Sequence, residues 1–188
     1  MNPFRFVQPA VEPVSLSEAK THLRVDHSAD DTYITSLISV ARLAAENRTE
    51  RTLINTTWTL TLDEFPSAIP LSMPPVVSVS QILYTDLTGT PVVLNSADYF
   101  LDKVSEPGWV IPANGKSFPT TNIANAMTVT YVAGYGATGA DVPAPIRHWI
   151  LLAVGDLYDQ MRSISGEKAR VPHDFADGLL DPYRFFGV

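Results

Sequence analysis

The residues best suited to chemistry lie close together near the N-terminus. His22, Asp26, His27, Asp30 and Asp31 fall within ten residues, and imidazole with carboxylate is a ligand set that divalent transition metals accept. The same stretch spans a predicted helix end, a polar link and a second helix start, where capping and the helix dipole explain carboxylates. We therefore favour capping and keep a metal-dependent hydrolase built on His22, Asp26 and His27 as an alternative.

Two further motifs resemble catalytic or phosphate-binding sequences without their partners. Ser17-Glu18-Ala19-Lys20 fits the S-x-x-K of serine acyl-transfer enzymes, but S-D-N and K-T-G are absent. The glycine-rich stretch 134–139 lacks the G-K-[ST] ending of a phosphate loop and is followed by an acidic residue. Cysteine is absent, which excludes disulfides, cysteine-bound zinc and thiol catalysis. We predict a protein that is not an enzyme and holds no metal or cofactor.

Composition describes a mildly acidic globular chain. Its 188 residues carry a net charge of −7, and a negative surface argues against binding a phosphate backbone tightly. The longest apolar run, Trp149–Val154, is far shorter than the ~18 residues that a membrane span requires. No basic segment followed by an apolar core opens the chain. We expect an intracellular protein with no membrane contact.

The pattern of apolar residues predicts an α+β fold in which a helical bundle carries an inserted antiparallel sheet or small barrel. A capping box at Ser15 and Glu18 opens a first helix. Helical spacing over 30–51 predicts a second helix, and a third follows Pro143 and Pro145. Strands are predicted at 57–62, 76–84, 91–94, 99–104, 109–111 and 127–132. The predicted parts are an extended arm (1–13), a helical domain (14–54 and 142–163), an inserted β domain (55–135) and an extended C-terminal tail (164–188).

The end of the chain is unusually apolar for a terminus. Tyr183, Phe185 and Phe186 can each bury ~150–250 Å², so they either fold back onto the protein's own core or dock into a partner. We predict docking, through Leu179, Leu180, Pro182, Tyr183, Arg184, Phe185 and Phe186. A second unexplained residue is Leu152, which lies within the polar arc of the third helix and indicates either chance exposure or contact with another chain.

The order of these features resembles the head–tail connector (adaptor, or neck) proteins of tailed bacteriophages. The stretches that carry the resemblance cover most of the chain in the right order: 14–26 with the following helix, Thr57-Trp58, 63–66, 74–76, 84–89, 131–136, Val142-Pro143 with Ile146, and 179–184.

The resemblance implies a ring of about twelve copies beneath the portal protein of the capsid vertex. The helices would form the ring, with Leu43 and Leu152 at the subunit interface, and the β insertion would project away. The C-terminal segment would reach along the portal, and the ring would offer a platform to a downstream neck or tail protein (head-completion, nozzle or tail-terminator). Such a protein belongs to the virion and is assembled in the host bacterial cytoplasm.

In such a ring the negative charge would have a mechanical role, because DNA must pass through the ring without being held. Residues 55–135 contain six acidic and two basic residues, and a lumen of like sign repels DNA. The candidates for the lining are Asp63, Glu64, Asp86, Asp98, Asp102 and Glu106, which could equally form an outer solvated face. A non-viral oligomeric scaffold that uses the same apolar tail is the remaining alternative.

Overall fold

In a computed structural model, the structure describes residues 4–5, 7–162 and 174–185. The chain divides into two compact units. A sheet unit contains the described residues up to 9 together with 55–135, and a helical unit contains 10–54 with the described residues from 136 onward. Helices and antiparallel sheets are both present, which confirms the α+β class.

The helical unit contains α1 (Leu16–Leu23), α2 (Asp31–Thr49), α3 (Ala144–Arg162) and the short α4 (Asp174–Asp177). The predicted capping box is confirmed: the Ser15 N–H donates to Glu18 Oε2 at 2.8 Å, and the Glu18 N–H donates to Ser15 Oγ at 3.2 Å. These bonds satisfy amides that a helix start otherwise leaves open. Glu18 also pairs with Arg147 of α3, which joins the first and third helices.

The helix α2 buries the apolar stripe that its spacing predicts. Five of its apolar side chains are at most 7% exposed, namely Ile34, Leu37, Ile38, Ala41 and Ala45, and α2 packs against α3. The Tyr33 and Tyr158 rings lie 6.4 Å apart, and the Tyr158 hydroxyl donates to Asp30. The helix is three residues shorter than the predicted 30–51, because Glu50 takes a left-handed conformation (φ 53°) and ends it.

An ionic cluster centred on the buried Arg42 fixes the segment before α1 and the segment after α2. Arg42 Nε donates to Glu12 Oε2 at 2.7 Å, and Arg42 Nη1 donates to Glu46 Oε2 at 2.8 Å. The other Glu46 oxygen accepts the Leu53 N–H at 3.1 Å, and Ser39 donates to Glu12. One guanidinium therefore ties the segment before α1 and the segment after α2 to the same helix.

The sheet unit is built from two antiparallel sheets that share one core. The first has the order β1 (Phe4–Arg5), β2 (Thr56–Leu62), β8 (Met127–Ala133), β4 (Val76–Thr85), β5 (Pro91–Val93), and the second has the order β3 (Ile69–Leu71), β7 (Gly108–Pro112), β6 (Tyr99–Asp102). Both sheets are open over the described strands, so the barrel alternative is wrong.

Alternation places the buried side chains of both sheets in that shared core. On β2 and β8 the buried residues are Trp58, Leu60, Met127, Val129 and Tyr131, and Ile69, Leu71 and Val110 come from the second sheet. The sheets approach closely at Gly108, where a Cβ atom would lie 2.9 Å from the Val76 side chain. The buried Tyr131 hydroxyl donates to the Ser72 carbonyl at 2.9 Å, and burial raises the pKa of this phenol well above its ordinary value.

Two short strands were not predicted. β1 has only two residues and lies in the proline-containing segment that was predicted as an extended arm. β3 has three residues with Pro70 at its centre, and it is an edge strand, the position in a sheet that tolerates proline. Neither is long enough to show a period of two. Among the described residues, no helix has the combination of length and apolarity that crossing a bilayer needs.

Candidate docking surfaces

The described C-terminal segment, residues 174–185, packs onto its own helical unit. Leu180 is 1% exposed and Ala176 is 5% exposed. Two hydrogen bonds hold the segment at the end of α2: the Phe185 N–H donates to the Thr49 carbonyl at 2.8 Å, and the Arg51 side chain donates through Nε to the Tyr183 carbonyl at 2.6 Å. The segment is therefore placed by buried apolar area together with backbone hydrogen bonds.

A polar contact at Asp177 adds to this attachment. Its carboxylate accepts hydrogen bonds from Arg48 of α2 and, at 3.2 Å, from Trp149 Nε1 of α3. The Arg48 guanidinium also lies over the Trp149 ring, 5.2 Å from its centroid, which is a favourable cation–π geometry. The hydrogen bond to Asp177 raises the pKa of Arg48 above its ordinary value, so the guanidinium keeps its positive charge.

The predicted docking residues therefore differ in how far their side chains are exposed. Leu180 is buried within the helical unit, so a docking role for its side chain would require the segment to leave this position. Leu179, Tyr183 and Phe185 are half-buried, Pro182 and Arg184 are exposed, and Phe186 lies outside the described residues. Folding back and docking are thus compatible here, because the packed segment still presents part of its aromatic surface.

The two predicted subunit contacts lie on different helices. Leu43 of α2 is 41% exposed, and Val40, three residues earlier on the same face, is 51% exposed. Leu152 of α3 is half-buried. The exposed apolar pair on α2 makes this helix face the stronger candidate for contact with another chain, although only Leu43 was singled out by the sequence.

The six acidic candidates are dispersed over several loops and strand ends, and most have local structural roles. Asp86 Oδ1 accepts the Thr88 and Thr90 N–H groups at 2.8 and 2.9 Å, which closes the turn between β4 and β5. Asp102 does the same for the turn after β6, accepting from Val104 and Ser105. Hydrogen bonds, first of all from the Thr88 and Ser105 hydroxyls, lower the pKa values of these two carboxyl groups.

The remaining four acidic candidates lie elsewhere in the sheet unit. Asp98 lies 3.3 Å from Lys116 Nζ. Asp63 Oδ1 accepts the Asn125 N–H at 2.7 Å. Glu64 and Glu106 are exposed. Local bonds therefore account for Asp63, Asp86, Asp98 and Asp102 without reference to a channel.

The predicted metal-ligand residues do not converge on one point. Asp31 pairs with Lys20 at 2.6 Å, Asp30 accepts from Tyr158, and His27 Nε2 lies 3.9 Å from Asp30. His22 instead meets the His148 ring edge-on, with centroids 6.5 Å apart. Across the part of the chain that the structure describes, no group of three or more His, Cys, Asp or Glu side chains could hold a metal ion. The geometry gives the hydrolase alternative no support.

The other two motifs also have structural explanations. Lys20 points its amine at Asp31, so the S-x-x-K lysine is engaged by a carboxylate. In the glycine-rich stretch, Asp141 turns back and accepts the Thr138 N–H at 2.9 Å. A Cβ at Gly136 would lie 2.3 Å from an Asp141 atom, so the lack of a side chain at this position makes room for a carboxylate. A phosphate-binding loop instead places a lysine beside the bound phosphate.

Sequence reasoning missed two apolar patches on the outer faces of the sheet unit. On the three-stranded sheet, Phe100 (59% exposed) is directly opposite Ile111 (36%), and the half-buried Pro70 and Trp109 are paired beside them. We call these four residues the β6–β7 patch.

The second patch lies on the five-stranded sheet. Leu83 (38% exposed) is directly opposite Val93 (54%), and we call this pair the β4–β5 patch. Because the two sheets share one core, the two patches face away from each other.

This chain is similar to one protein family and to several solved structures. Residues 13–85 match the model of the phage gp6-like head–tail connector protein family. The chain is similar over its full length to a chain in the neck of an empty gene transfer agent particle computed with C6 symmetry, with 21% identity, 97% coverage of that chain and a TM-score of 0.81.

Two further solved structures agree with this fold. A chain in the virion of a native gene transfer agent particle matches with 22% identity and a TM-score of 0.81, and one in a native neck computed with C12 symmetry matches with 21% identity and a TM-score of 0.73. Both comparisons cover 100% of this chain and 97% of the other. No curated protein sequence gives a significant match. The resemblance to head–tail connector proteins is confirmed by these findings.

Proposed function

We propose that this protein is a structural head–tail connector of a phage-like particle. The observation that carries the proposal is the match of residues 13–85 to the connector family together with a fold shared over the whole chain with neck chains of gene transfer agent particles.

In this proposal about twelve copies form a ring beneath the portal protein and provide a platform for the next neck or tail component. A bundle of α1, α2 and α3 carries the inserted sheet unit and forms the ring, with the exposed pair Val40 and Leu43 and the half-buried Leu152 as subunit contacts. The particle is assembled in the bacterial cytoplasm, and the protein stays in the virion at the head–tail junction. No step of this role requires the protein to make or break a bond.

The C-terminal segment is the proposed contact with the portal. Its packed position leaves Pro182 and Arg184 exposed and Tyr183 and Phe185 half-exposed, which is a small amphipathic surface with two aromatic anchors of the kind that dominates interfaces. A single segment of this size binds weakly, whereas a ring presents it in about twelve copies at high effective concentration.

The test is co-assembly with the portal protein of the same particle. We expect the wild-type chain to form a closed ring of about twelve copies, alone or with portal, in mass photometry and negative-stain images. The Tyr183→Ser/Phe185→Ser double variant should remain folded and lose portal binding. Ile123→Ser, at a site 48% exposed in a sheet-unit loop, is the matched control and should bind normally.

A chain that stays monomeric and ignores the portal would overturn the proposal and favour a non-viral scaffold. For the acidic set, we propose that Asp63, Glu64 and Glu106 contribute to a lumen that repels passing DNA, because residues 55–135 contain six acidic and only two basic residues. Replacing these three by amides should slow genome ejection from reconstituted particles, and an unchanged ejection rate would place them on an outer face.

A further inference from the structure

The sheet unit carries two apolar surfaces that its own fold does not use. The β6–β7 patch exposes on the order of 300 Å² of apolar surface, a size at which patches on monomers are often functional. It contains one tryptophan and one phenylalanine, residue types that are enriched at the energetic centres of interfaces. The β4–β5 patch is smaller and aliphatic, and it lies on the opposite outer face of the same unit.

The β6–β7 patch has a carboxylate and a lysine beside it: Asp102 lies directly opposite Trp109, and its oxygens accept hydrogen bonds from its own turn. Residues 55–135 contain only two basic residues, Lys103 and Lys116. Lys103 is exposed and immediately follows β6, next to the β6–β7 patch, and it has no ion-pair partner among the described residues. Beside the β4–β5 patch stands Asp86, an ionised carboxylate with Oδ1 used by its own turn, followed by Leu87, which is 61% exposed.

We propose that the β6–β7 patch of one copy binds the β4–β5 patch of the next copy, with Lys103 facing Asp86 across the contact. Two different surfaces on opposite faces of one unit give a head-to-tail contact, which generates a closed ring when the rotation between copies closes. This proposal rests on the ring of the proposed function and adds a second subunit contact, formed by the sheet units, to the one proposed for the helices.

The size of the patches favours a second copy in a ring over an isolated dimer. A stable protein–protein interface buries ~800 Å² per partner, more than the β6–β7 patch offers. In a closed ring every copy uses both patches at once, and dissociation of one copy requires two contacts to break. The contact is therefore expected to be weak between two free copies and firm in the closed assembly.

Cysteine cross-linking can test the contact directly, because the native chain contains no cysteine. Ile111→Cys places a thiol in the β6–β7 patch and leaves its two aromatic residues intact. Gln81→Cys, on an exposed β4 residue two positions before Leu83, places one beside the β4–β5 patch. The two variants are made as full-length chains of distinguishable mass, mixed, and oxidised over a concentration series.

We expect the mixed pair to form a disulfide-linked heterodimer about tenfold faster than the control pair, because the contact raises the effective thiol concentration. The control pair is Ile111→Cys with Ile123→Cys, the latter in an exposed loop of the same unit. A chain carrying both Ile111→Cys and Gln81→Cys should give a ladder that ends in a ring. Fast homodimers of Ile111→Cys alone would indicate a symmetric contact and overturn the proposal.

Charge variants test whether Lys103 takes part in the proposed contact. Lys103→Glu should reduce the cross-linking rate of the mixed pair several-fold at low salt, whereas Lys103→Arg should not. Lys116→Glu is the matched control, since Lys116 already pairs with Asp98 of its own chain. A mixed pair that cross-links no faster than the control overturns this inference, even when mass photometry shows rings, and in that case the proposed function still stands. Absence of rings with the portal present is the separate result that contradicts the proposed function.

Discussion

Removing the Arg42 guanidinium should strongly destabilise the helical unit. The Arg42 side chain is 4% exposed, and its partner Glu46 is 2% exposed, whereas Glu12 is 25% exposed. Arg42→Ala removes a cation that pairs with the buried Glu46 carboxylate. Breaking a buried pair from one side costs about 3–5 kcal/mol, so we expect the free energy of unfolding of this unit to fall by that amount.

The matched control is Arg48→Ala, on the same helix and also in an ion pair. Arg48 and Asp177 are 51% and 48% exposed, and an exposed pair contributes about 0–1 kcal/mol. Denaturant titrations followed by circular dichroism at 222 nm report on the helices, and tryptophan fluorescence is recorded in parallel because a chain of two units need not unfold in one step. Equal losses for the two variants would refute the reasoning. Arg42→Met combined with Glu46→Gln should recover part of the loss, since Glu46, the more deeply buried of the two carboxylates, then carries no charge.

The other predictions concern packing, backbone and pH. Leu180→Ala should lower the free energy of unfolding by about 2–4 kcal/mol because its side chain is fully buried, while Arg184→Ala, on an exposed residue of the same segment, should change it by less than about 1 kcal/mol. Gly108→Ala should destabilise the sheet unit by about 1–3 kcal/mol, since the new methyl group would meet Val76. Gly155→Ala, within α3 and with only ordinary contacts around the added methyl group, should instead stabilise by about 0.5–1 kcal/mol. The backbone hydrogen bond from Ser15 lowers the pKa of Glu18. The ionised Glu18 therefore adds to the free energy of unfolding above the ordinary glutamate pKa of about 4.3, and this stabilisation is lost as pH falls through the lower pKa of the folded state. Thermal melts should show a larger fall in Tm with acid for the wild type than for Glu18→Gln.

Local sequence signals predicted the main elements because those signals act within a few residues. The Ser15–Glu18 box and the apolar stripe of α2 need only helical spacing, and the alternation of 57–62 needs only the period of a strand. The elements that were missed are too short to repeat a period, as in the two-residue β1. The length of α2 depended on one residue, Glu50, taking a left-handed conformation, for which the sequence carries no glycine signal.

The placement of the C-terminal segment was beyond local reasoning for a different reason. An apolar terminus is equally consistent with docking outward and with packing inward, and only three-dimensional partners distinguish the two. Those partners are far away in sequence: the Thr49 carbonyl receives the Phe185 N–H, and Arg51 binds the Tyr183 carbonyl. Every residue type carries a backbone carbonyl that can accept such a hydrogen bond, so the sequence pattern does not indicate that these two contacts form.

The outer patches show what alternation can and cannot decide. In Tyr99–Asp102 it assigns Phe100 and Leu101 to opposite faces, but both are apolar, so the pattern does not indicate which of them is buried. The structure buries Leu101 against the core and exposes Phe100. An isolated exposed aromatic residue needs no explanation, but Phe100 lies directly opposite the exposed Ile111 and beside Trp109. A solvated sheet face usually carries polar residues, so the exposed apolar side chains on this outer face favour contact with a second protein surface, and in the proposed ring that surface is another copy of the same unit.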